Sequence, residues 1–277
     1  MCLQEMQELQ TLASVSVVIP CFNSAKTIER AIHSVLEQTM LPTEIIIVDD
    51  ASSDETLGVV DQFRGTPLSN VIVIGLKENS GPSRARNIGW ERTVTDYVAF
   101  LDADDFWLPQ KLAQVMDFFS QHPNTVACGH RFAVLNAIAR TESAKNASAV
   151  DYSYHQLLIR NQFSTPAMVV KRDIAPRFPE HLRGAEDYAL WLDIAFQYGP
   201  IPKLSKVLAG SSKSLYGESG LSSHLVTMEL AVLSVIGDQR HSGRISLAQY
   251  LALILWSSFK FMVRTSKTFF RKFLQKK

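Results

Sequence analysis

Short apolar runs alternate with amphipathic segments through the first hundred residues. The runs are SVSVVIP from Ser14, EIIIVDD from Glu44, NVIVIGL from Asn70 and YVAFLDADD from Tyr97. Apolar residues recur with the spacing of a helix in 27–38 and 55–63. This alternation predicts parallel β-strands joined by helices. Because the runs are continuously apolar, we expect helices to cover both faces of a mostly parallel central sheet in an α/β fold.

The second half of the chain is less regular. STPAMVV and KLSKVLAG predict strands, AEDYALWLDIAFQYG predicts a helix, and the small polar residues 137–150 predict a loop. We therefore expect one domain over 14–215, divided into a first half (14–125) and a second half (126–215). A helical, basic and amphipathic region is expected over 216–277.

Composition narrows the class of protein. The 277 residues are 46% hydrophobic and 20% charged, as expected for one globular unit. The 28 Lys and Arg residues nearly balance the 27 Asp and Glu residues, which argues against a nucleic-acid partner. Cys2, Cys21 and Cys128 are scattered, and the first residues lack the basic start and apolar core of a signal peptide. These features predict a cytoplasmic protein.

Two acids follow the fourth apolar run. Asp102 and Asp104 flank Ala103, and side chains two residues apart in an extended chain point the same way. Paired carboxylates are ligands for Mg²⁺ or Mn²⁺, and a nucleotide diphosphate can complete the coordination shell. The alternative is an acidic turn that caps a helix beginning near Pro109.

Two further acids, Asp49 and Asp50, end the second apolar run. The carboxyl ends of parallel strands meet at the edge where α/β sheets bind ligands. A carboxylate there can accept a hydrogen bond from the imide N–H of uracil, a donor that cytosine lacks. The alternative is that Asp50 or Ser53 caps the next helix.

NSGPSRARNIG follows the third run and contains two arginines, Arg84 and Arg86. Guanidinium groups at a strand edge can bind phosphate oxygens through forked hydrogen bonds, although arginines on a helix are often solvated instead. We expect one of the two to point inward. Gly81 and Pro82 are expected to form the turn, and Gly89 would let the helix pack closely on the sheet.

Glu186 and Asp187 begin the predicted helix of the second half. Acids are common in a first helical turn for electrostatic reasons alone. A carboxylate that faces a bound sugar can instead act as the general base for an acceptor hydroxyl.

Taken in order, VVIPCFN, VDDASSDET, NSGPSRARNIG, FLDADDFWLPQKL and GAEDYALWL resemble family 2 of the inverting glycosyltransferases over about the first two thirds of the chain. The resemblance implies the type A nucleotide-sugar fold and a single displacement that inverts the anomeric configuration. It also implies a divalent metal at the D-x-D motif, which is formed here by Asp102 and Asp104. It also implies roles by position. Pro20 and Asn23 would line the donor pocket, Asp50 with Asp49 would contact the nucleobase, Asp102, Ala103 and Asp104 would hold ribose and metal, and Asp187 beside Glu186 would be the base.

The chain also departs from the family pattern after the last predicted strand. Lys213 stands where arginine is common, and His224 lies further along the chain than the family's histidine. The role of this segment in contacting the diphosphate is therefore open.

The C-terminal stretch from Ile245 is apolar first and basic last. On a helical wheel its polar residues form one narrow stripe: Ser246, Gln249, Ser257, Lys260, Arg264, Lys267 and Arg271. The apolar part is shorter than the ~20 residues that a spanning helix needs, so the pattern predicts a helix lying on a membrane. The alternative is a helix that packs on protein.

These observations predict an enzyme that transfers a sugar from a nucleoside-diphosphate sugar, with UDP as the expected nucleotide, to a carbohydrate or lipid-linked acceptor. The domain over 14–215 is then its catalytic domain, with a nucleotide-binding half (14–125) and an acceptor and base half (126–215). The expected setting is synthesis of envelope polysaccharide or glycolipid, on the cytoplasmic face of a membrane. A sugar nucleotidyltransferase is disfavoured because the first strand is not followed by a glycine-rich phosphate loop. A catalytically silent binding module of the same fold is the other alternative.

Overall fold

The structure is a computed structural model that describes residues 12–65, 70–134, 148–211 and 225–274, with side chains as far as residue 266. Cys2, Lys213, His224 and most of the predicted loop 137–150 lie outside these residues. The last residues of that loop belong to a strand, Ala149–Tyr152.

The order of strands and helices in the first half follows the predicted alternation. The strands are β1 (Leu12–Cys21), β2 (Leu41–Asp49), β3 (Asn70–Gly75), β4 (Tyr97–Phe100), β5 (Asp105–Trp107), β6 (Ala127–Val134), β7 (Ala149–Tyr152), β8 (Val169–Lys171) and β9 (Ile201–Ser211). The helices are α1 (Ile28–Leu36), α2 (Thr56–Asp61), α3 (Pro82–Arg92), α4 (Lys111–Gln121), α5 (Tyr154–Ile159), α6 (Glu186–Tyr198), α7 (Leu225–His241) and α8 (Leu247–Leu274), with a short 3₁₀ turn at Thr165–Ala167.

The described strands form one mixed sheet in the order β3-β2-β1-β4-β8-β6-β9-β5, and β7 pairs with β9. β1 to β4 are parallel, as predicted, because helices return the chain between them. β8 runs antiparallel to both β4 and β6, and β5 and β7 run antiparallel to β9. The α/β prediction is confirmed, and the antiparallel pairs lie outside the first three strands.

Both faces of the central strands are buried, as their continuous apolarity predicts. Val17 and Ile19 of β1 belong to the core beneath α1 and α4, whereas Val18 belongs to the core on the opposite face. All three side chains are fully buried. Because both faces of the sheet are covered by apolar cores, polar groups can come together only at the ends of the strands.

Gly89 confirms the predicted close approach of α3 to the sheet. A Cβ added to Gly89 would lie 2.4 Å from Cγ1 of Val18 and 3.3 Å from Cγ2 of Val48. Any larger residue would push α3 away from β1 and β2, and with it the arginines that α3 carries.

The C-terminal helices α7 and α8 pack against each other and extend the core through Val235, Ile236 and Ile245. Three members of the predicted polar stripe face inward: Ser257 is buried, and Lys260 and Arg264 bond to other parts of the protein, whereas Ser246 and Gln249 are exposed. Among the residues that the structure describes, none of the helices has the length and hydropathy needed to cross a bilayer.

Candidate active site at the carboxyl edge of the sheet

The carboxyl ends of β1, β2 and β4 bring the predicted site residues to one edge. Pro20 pairs with Val48 in the parallel register of β1 and β2, and Asn23 and Asp50 follow directly. Asp102 comes two residues after the end of β4. The backbone N–H of Leu101, between them, donates a hydrogen bond to the carbonyl of Val18 in β1. The topology therefore gathers residues that are up to about eighty positions apart.

Asp50 is nearly fully buried, and its carboxylate fixes the turn that begins α3. Its two oxygens accept hydrogen bonds from the backbone N–H groups of Ser80 and Gly81, each at 2.7 Å. Asn79 also donates its side-chain amide to the Asp50 carbonyl at 3.2 Å. The alternative that Asp50 or Ser53 caps α2 is wrong, because the carboxylate of Asp54 accepts from the N–H of Thr56 instead.

Asn23 and Asp49 hold the neighbouring loops. The Asn23 side-chain oxygen accepts from the N–H of Ser53 at 2.9 Å, and Asp49 accepts from the N–H of Ser52 at 3.1 Å. Asn23 and Ala51 both have positive φ, 48° and 61°. Non-glycine residues seldom adopt this conformation, and they concentrate at functional sites. Burial leaves Asp49 only 1% exposed, so its carboxylate lies behind these loops.

Gly81 is required at this turn by its backbone conformation. Its φ of 91° and ψ of 165° lie in a region that only glycine occupies readily, and the guanidinium group of Arg183 packs where a Cβ would be placed. We expect Gly81→Ala to lower the free energy of unfolding by about 1–3 kcal/mol. Denaturant unfolding measures this loss.

Gly75→Ala is the matched control for the Gly81 experiment. A Cβ at Gly75 would meet no atom within 4 Å, and no positive φ is imposed there. We expect a change of about 0.5 kcal/mol or less. Equal losses in the two variants would contradict the special role of the turn held by Asp50.

Asp102 and Asp104 do not cap the helix that follows them. The strand β5 intervenes, and α4 begins at Lys111 with Gln110 as its N-cap residue and no side-chain cap. The Asp102 side chain is 29% exposed, and Nη2 of Arg30 donates to the backbone carbonyl of Asp104 at 2.6 Å. Ala103 between them is buried. The capping alternative is therefore wrong.

Asp105 is a third acid beside the pair, and no role was predicted for it from the sequence. Burial, reinforced by the charges of Asp102 and Asp104, raises the pKa of Asp105 to about 8. Its side chain bonds to Ser211, across the antiparallel pairing of β5 with β9. The sequence DADD shows three carboxyl groups, but the pairing of β5 with β9 determines that the Asp105 side chain points inward.

Arg86 connects the D-x-D to the acids of α6. Its Nη2 lies 2.6 Å from Oδ1 of Asp102 and its Nη1 lies 3.3 Å from Oε1 of Glu186, and its side chain is only 7% exposed. Arg84 points outward and pairs with Glu180 at 3.4 Å, with more than half of its side chain exposed. One arginine of the pair is thus inward, as expected, and its partners here are carboxylates.

The start of α6 aims Asp187 at the same place. Ala185, the N-cap residue, has a left-handed backbone with φ of 58°, and it provides no side-chain cap. Burial raises the pKa of Asp187 to about 7, with the charge of Glu186 adding to the rise and Arg86 opposing it. Asn161 donates to Oδ2 of Asp187 at 3.4 Å. No sequence signal marked Asn161, which lies just beyond α5.

Asp102 and Asp104 supply two carboxylates that fit a divalent cation shared with a ligand. Within the described residues no group of three or more His, Cys, Asp or Glu side chains is arranged to hold a metal. Mg²⁺ in nucleotide sites is held by one or two carboxylates together with substrate phosphates, which matches Asp102 and Asp104. The donor set therefore fits a metal that arrives with a nucleotide.

Comparison with known proteins decides the family. The model described as "Glycosyl transferase family 2" matches residues 16–175, more than half of the chain. The chain belongs to glycosyltransferase family 2. This confirms the resemblance seen in the sequence and the glycosyltransferase fold that it implied, and it disfavours the nucleotidyltransferase alternative.

Two curated glycosyltransferases are similar to this chain over about seven tenths of their own length. The chain is 32% identical to a protein named putative teichuronic acid biosynthesis glycosyltransferase TuaG of Bacillus subtilis, over 65% of this chain and 71% of that one. It is 27% identical to an Escherichia coli protein, WfaP, named UDP-Glc:alpha-D-GlcNAc-diphosphoundecaprenol beta-1,3-glucosyltransferase, over 65% and 69%. A solved structure of S. aureus TarS matches with a TM-score of 0.61 and 25% identity, over 80% of this chain and 39% of TarS.

Proposed function

We propose that this family 2 glycosyltransferase is an inverting enzyme that transfers a sugar from a UDP-sugar to a hydroxyl of a carbohydrate or lipid-linked acceptor. The setting that we propose is synthesis of cell-envelope polysaccharide or glycolipid, in the cytoplasm and at the inner membrane surface. The observation that carries the mechanism is the bridge through Arg86, which joins Asp102 to Glu186 and so places the D-x-D beside Asp187.

The donor would lie along the edge between the turn at Gly81 and the D-x-D. Two buried polar atoms at this edge, Nε of Arg86 and Oε2 of Glu186, have no hydrogen-bond partner within the described residues. Buried polar atoms usually have partners, so a ligand with several hydroxyl groups suits this place. The name of the WfaP relative supports UDP as the nucleotide. Contact of Asp49 or Asp50 with uracil stays a prediction, since both carboxylates bind backbone amides.

Asp187 would act as the general base. The acceptor hydroxyl gives its proton to the carboxylate as its oxygen bonds to the anomeric carbon, and the bond from that carbon to the diphosphate oxygen breaks. A pKa of about 7 suits a base that works near neutral pH. Because attack and departure occur on opposite sides of the carbon, one step inverts the anomeric configuration.

Asp102 and Asp104 would hold Mn²⁺ or Mg²⁺ with the donor. When bound, the cation supplies Lewis-acid stabilisation of the charge on the departing diphosphate. Arg86 keeps one oxygen of Asp102 in place by its 2.6 Å bond, and Arg30 fixes the backbone at Asp104. The protein thus fixes the D-x-D from both sides.

Release of UDP from UDP-glucose and UDP-N-acetylglucosamine tests this proposal. We expect turnover in the presence of Mn²⁺, loss of turnover with a chelator, and loss in Asp104→Ala. Asp117→Ala is the control, because Asp117 is an exposed residue of α4 remote from the D-x-D. Unchanged turnover in Asp104→Ala would contradict the role of the D-x-D, and no turnover in the wild type with any donor or acceptor would favour the silent module.

A further inference from the structure

The outward surface of α8 is largely apolar between Leu247 and Val263. Its large exposed side chains are Leu247, Leu251, Leu255, Trp256, Phe259, Met262 and Val263, which we call the outer apolar face. Spacings of three and four residues place these side chains on one side of the helix. Ile159, at the end of α5, is also exposed and lies beside Trp256, whose indole N–H donates to the Ile159 carbonyl.

The orientation of α8 is fixed by three residues of its polar stripe, Ser257, Lys260 and Arg264, which contact the protein. Ser257 Oγ donates to one oxygen of Glu229 on α7, and Arg264 Nη2 lies 2.6 Å from the other oxygen. Lys260 Nζ donates to the carbonyl of Ile159 at 2.8 Å. Turning α8 over would bury the apolar side chains but would leave Glu229, which is 6% exposed, without these partners. The apolar residues are therefore held outward.

Continuous exposed apolar surface is unusual for a soluble monomer and marks a contact site. Leu255 is 72% exposed and Leu251 is 53% exposed, one turn apart on the same line. No described helix is suited to cross a bilayer, so α8 would lie flat on whatever covers it.

The distribution of charge indicates what covers this face. Residues 245–277 contain seven basic residues and no acidic residue, whereas residues 1–244 contain 21 basic and 27 acidic residues, a net charge of −6. Two copies of the chain joined through this face would bring two strongly cationic segments together, which costs electrostatic energy. An anionic surface meets no such repulsion.

We propose that the outer apolar face of α8 is a docking surface for an anionic lipid bilayer. The helix lies in the plane of the interface with Leu251 and Leu255 among the acyl chains, and the net positive charge of residues 245–277 favours anionic headgroups. Lys260 and Arg264 instead hold α8 on the catalytic domain. This proposal does not depend on the sugar-transfer reaction, because no residue of the D-x-D or of the start of α6 takes part in it.

Trp256 provides a direct probe of docking. The chain has four tryptophans, and Trp90, Trp107 and Trp191 are each no more than 2% exposed, whereas Trp256 is 44% exposed and stacks on Phe259. A shift of fluorescence to shorter wavelength, or quenching by brominated lipid, therefore reports the surroundings of Trp256 on the outer apolar face.

The test measures binding of the full chain to vesicles of mixed phosphatidylglycerol and phosphatidylcholine, and to vesicles of phosphatidylcholine alone. We expect co-sedimentation and a Trp256 shift with the anionic vesicles only, weakened by high salt. Leu251→Ser with Leu255→Ser should weaken binding by about tenfold or more, because two exposed leucines no longer enter the bilayer. Val94→Ser is the matched control, since Val94 is also 72% exposed but lies outside this face.

Several outcomes would overturn the proposal. They are failure to bind any vesicle, equal binding to both kinds of vesicle, and undiminished binding by the double serine variant. A dimer in lipid-free solution that the double serine variant dissociates would assign the face to a second copy instead. UDP binding by the same variants separates these outcomes from failure of the donor site, and we expect it to be unchanged in all of them.

Discussion

Replacing Asp187 by asparagine is expected to lower kcat by roughly 10²- to 10⁴-fold, the range observed when a general base is removed. The substitution keeps the size of the side chain, and its amide oxygen can still accept the hydrogen bond from the N–H of Tyr188, although the bond from Asn161 is lost, so the fold should persist. Donor binding should survive, because the D-x-D is unchanged. Steady-state kinetics together with calorimetric titration of UDP separate the two effects.

The pH dependence of wild-type activity is a second test of the role of the Asp187 carboxyl group. The pKa of Asp187 is raised to about 7, so the carboxylate form that accepts a proton is populated only as the pH rises through this value. We therefore expect kcat/KM to increase with pH through about 7 and the asparagine variant to lose this limb. Asp117→Asn on exposed α4 is the control. A donor affinity that falls as much as the rate would assign Asp187 to donor binding instead.

The second large effect is expected at Arg86. Arg86→Met removes the cation between Asp102 and Glu186 and leaves Glu186, which is 8% exposed, beside Asp187 without compensation. Breaking a buried ion pair by removing one partner typically costs about 3–5 kcal/mol. We expect a loss of this size in the free energy of unfolding, measured by denaturant titration at neutral pH.

Arg84→Met is the matched control for Arg86, since the two residues are two positions apart on α3. Arg84 and Glu180 are both substantially exposed, so their pair should contribute about 0–1 kcal/mol. Arg86 also opposes the rise in the pKa of Asp187, so any remaining activity of Arg86→Met should need a higher pH. Similar losses of stability in the two variants would contradict the claim that Arg86 links Asp102 to Glu186 as a buried ion pair.

The first half of the fold could be predicted because its signals are local. Continuous apolar runs predicted strands with two buried faces, and Val17 and Val18 of β1 belong to opposite cores. Gly89 predicted a close approach that the contact with Val18 confirms. The directions of β5, β7 and β8 could not be predicted, since periodicity along a strand carries no information about the direction of its neighbour.

Within the site, the sequence indicated which residues come together but not which groups each of them binds. Asp50 was expected to be either a nucleobase ligand or a helix cap, and its carboxylate closes the turn at Ser80 and Gly81. One of Arg84 and Arg86 was expected to point inward, and Arg86 does so, with two carboxylates as its partners. Such contacts join positions 16 to 100 residues apart, and local rules of capping and charge do not specify them.

The rotation of α8 shows the same limit. The helical wheel found the polar stripe and predicted a helix lying on a membrane, whereas Lys260 and Arg264 of this stripe bind the protein. The difference arises from Glu229 and the carbonyl of Ile159, whose positions depend on how α7 and α5 pack. A wheel describes one helix, and the direction of its faces is decided by its neighbours.

The central claim is that the edge holding Asp102 and Asp104 binds a nucleoside diphosphate together with a divalent cation. The most direct test is calorimetric titration of UDP, with CDP and GDP for comparison, into the wild type and Asp104→Ala with and without Mn²⁺. Binding of UDP that requires Mn²⁺ and is lost in Asp104→Ala is the expected result. Binding of UDP with equal affinity in both proteins, or without regard to Mn²⁺, would contradict the claim.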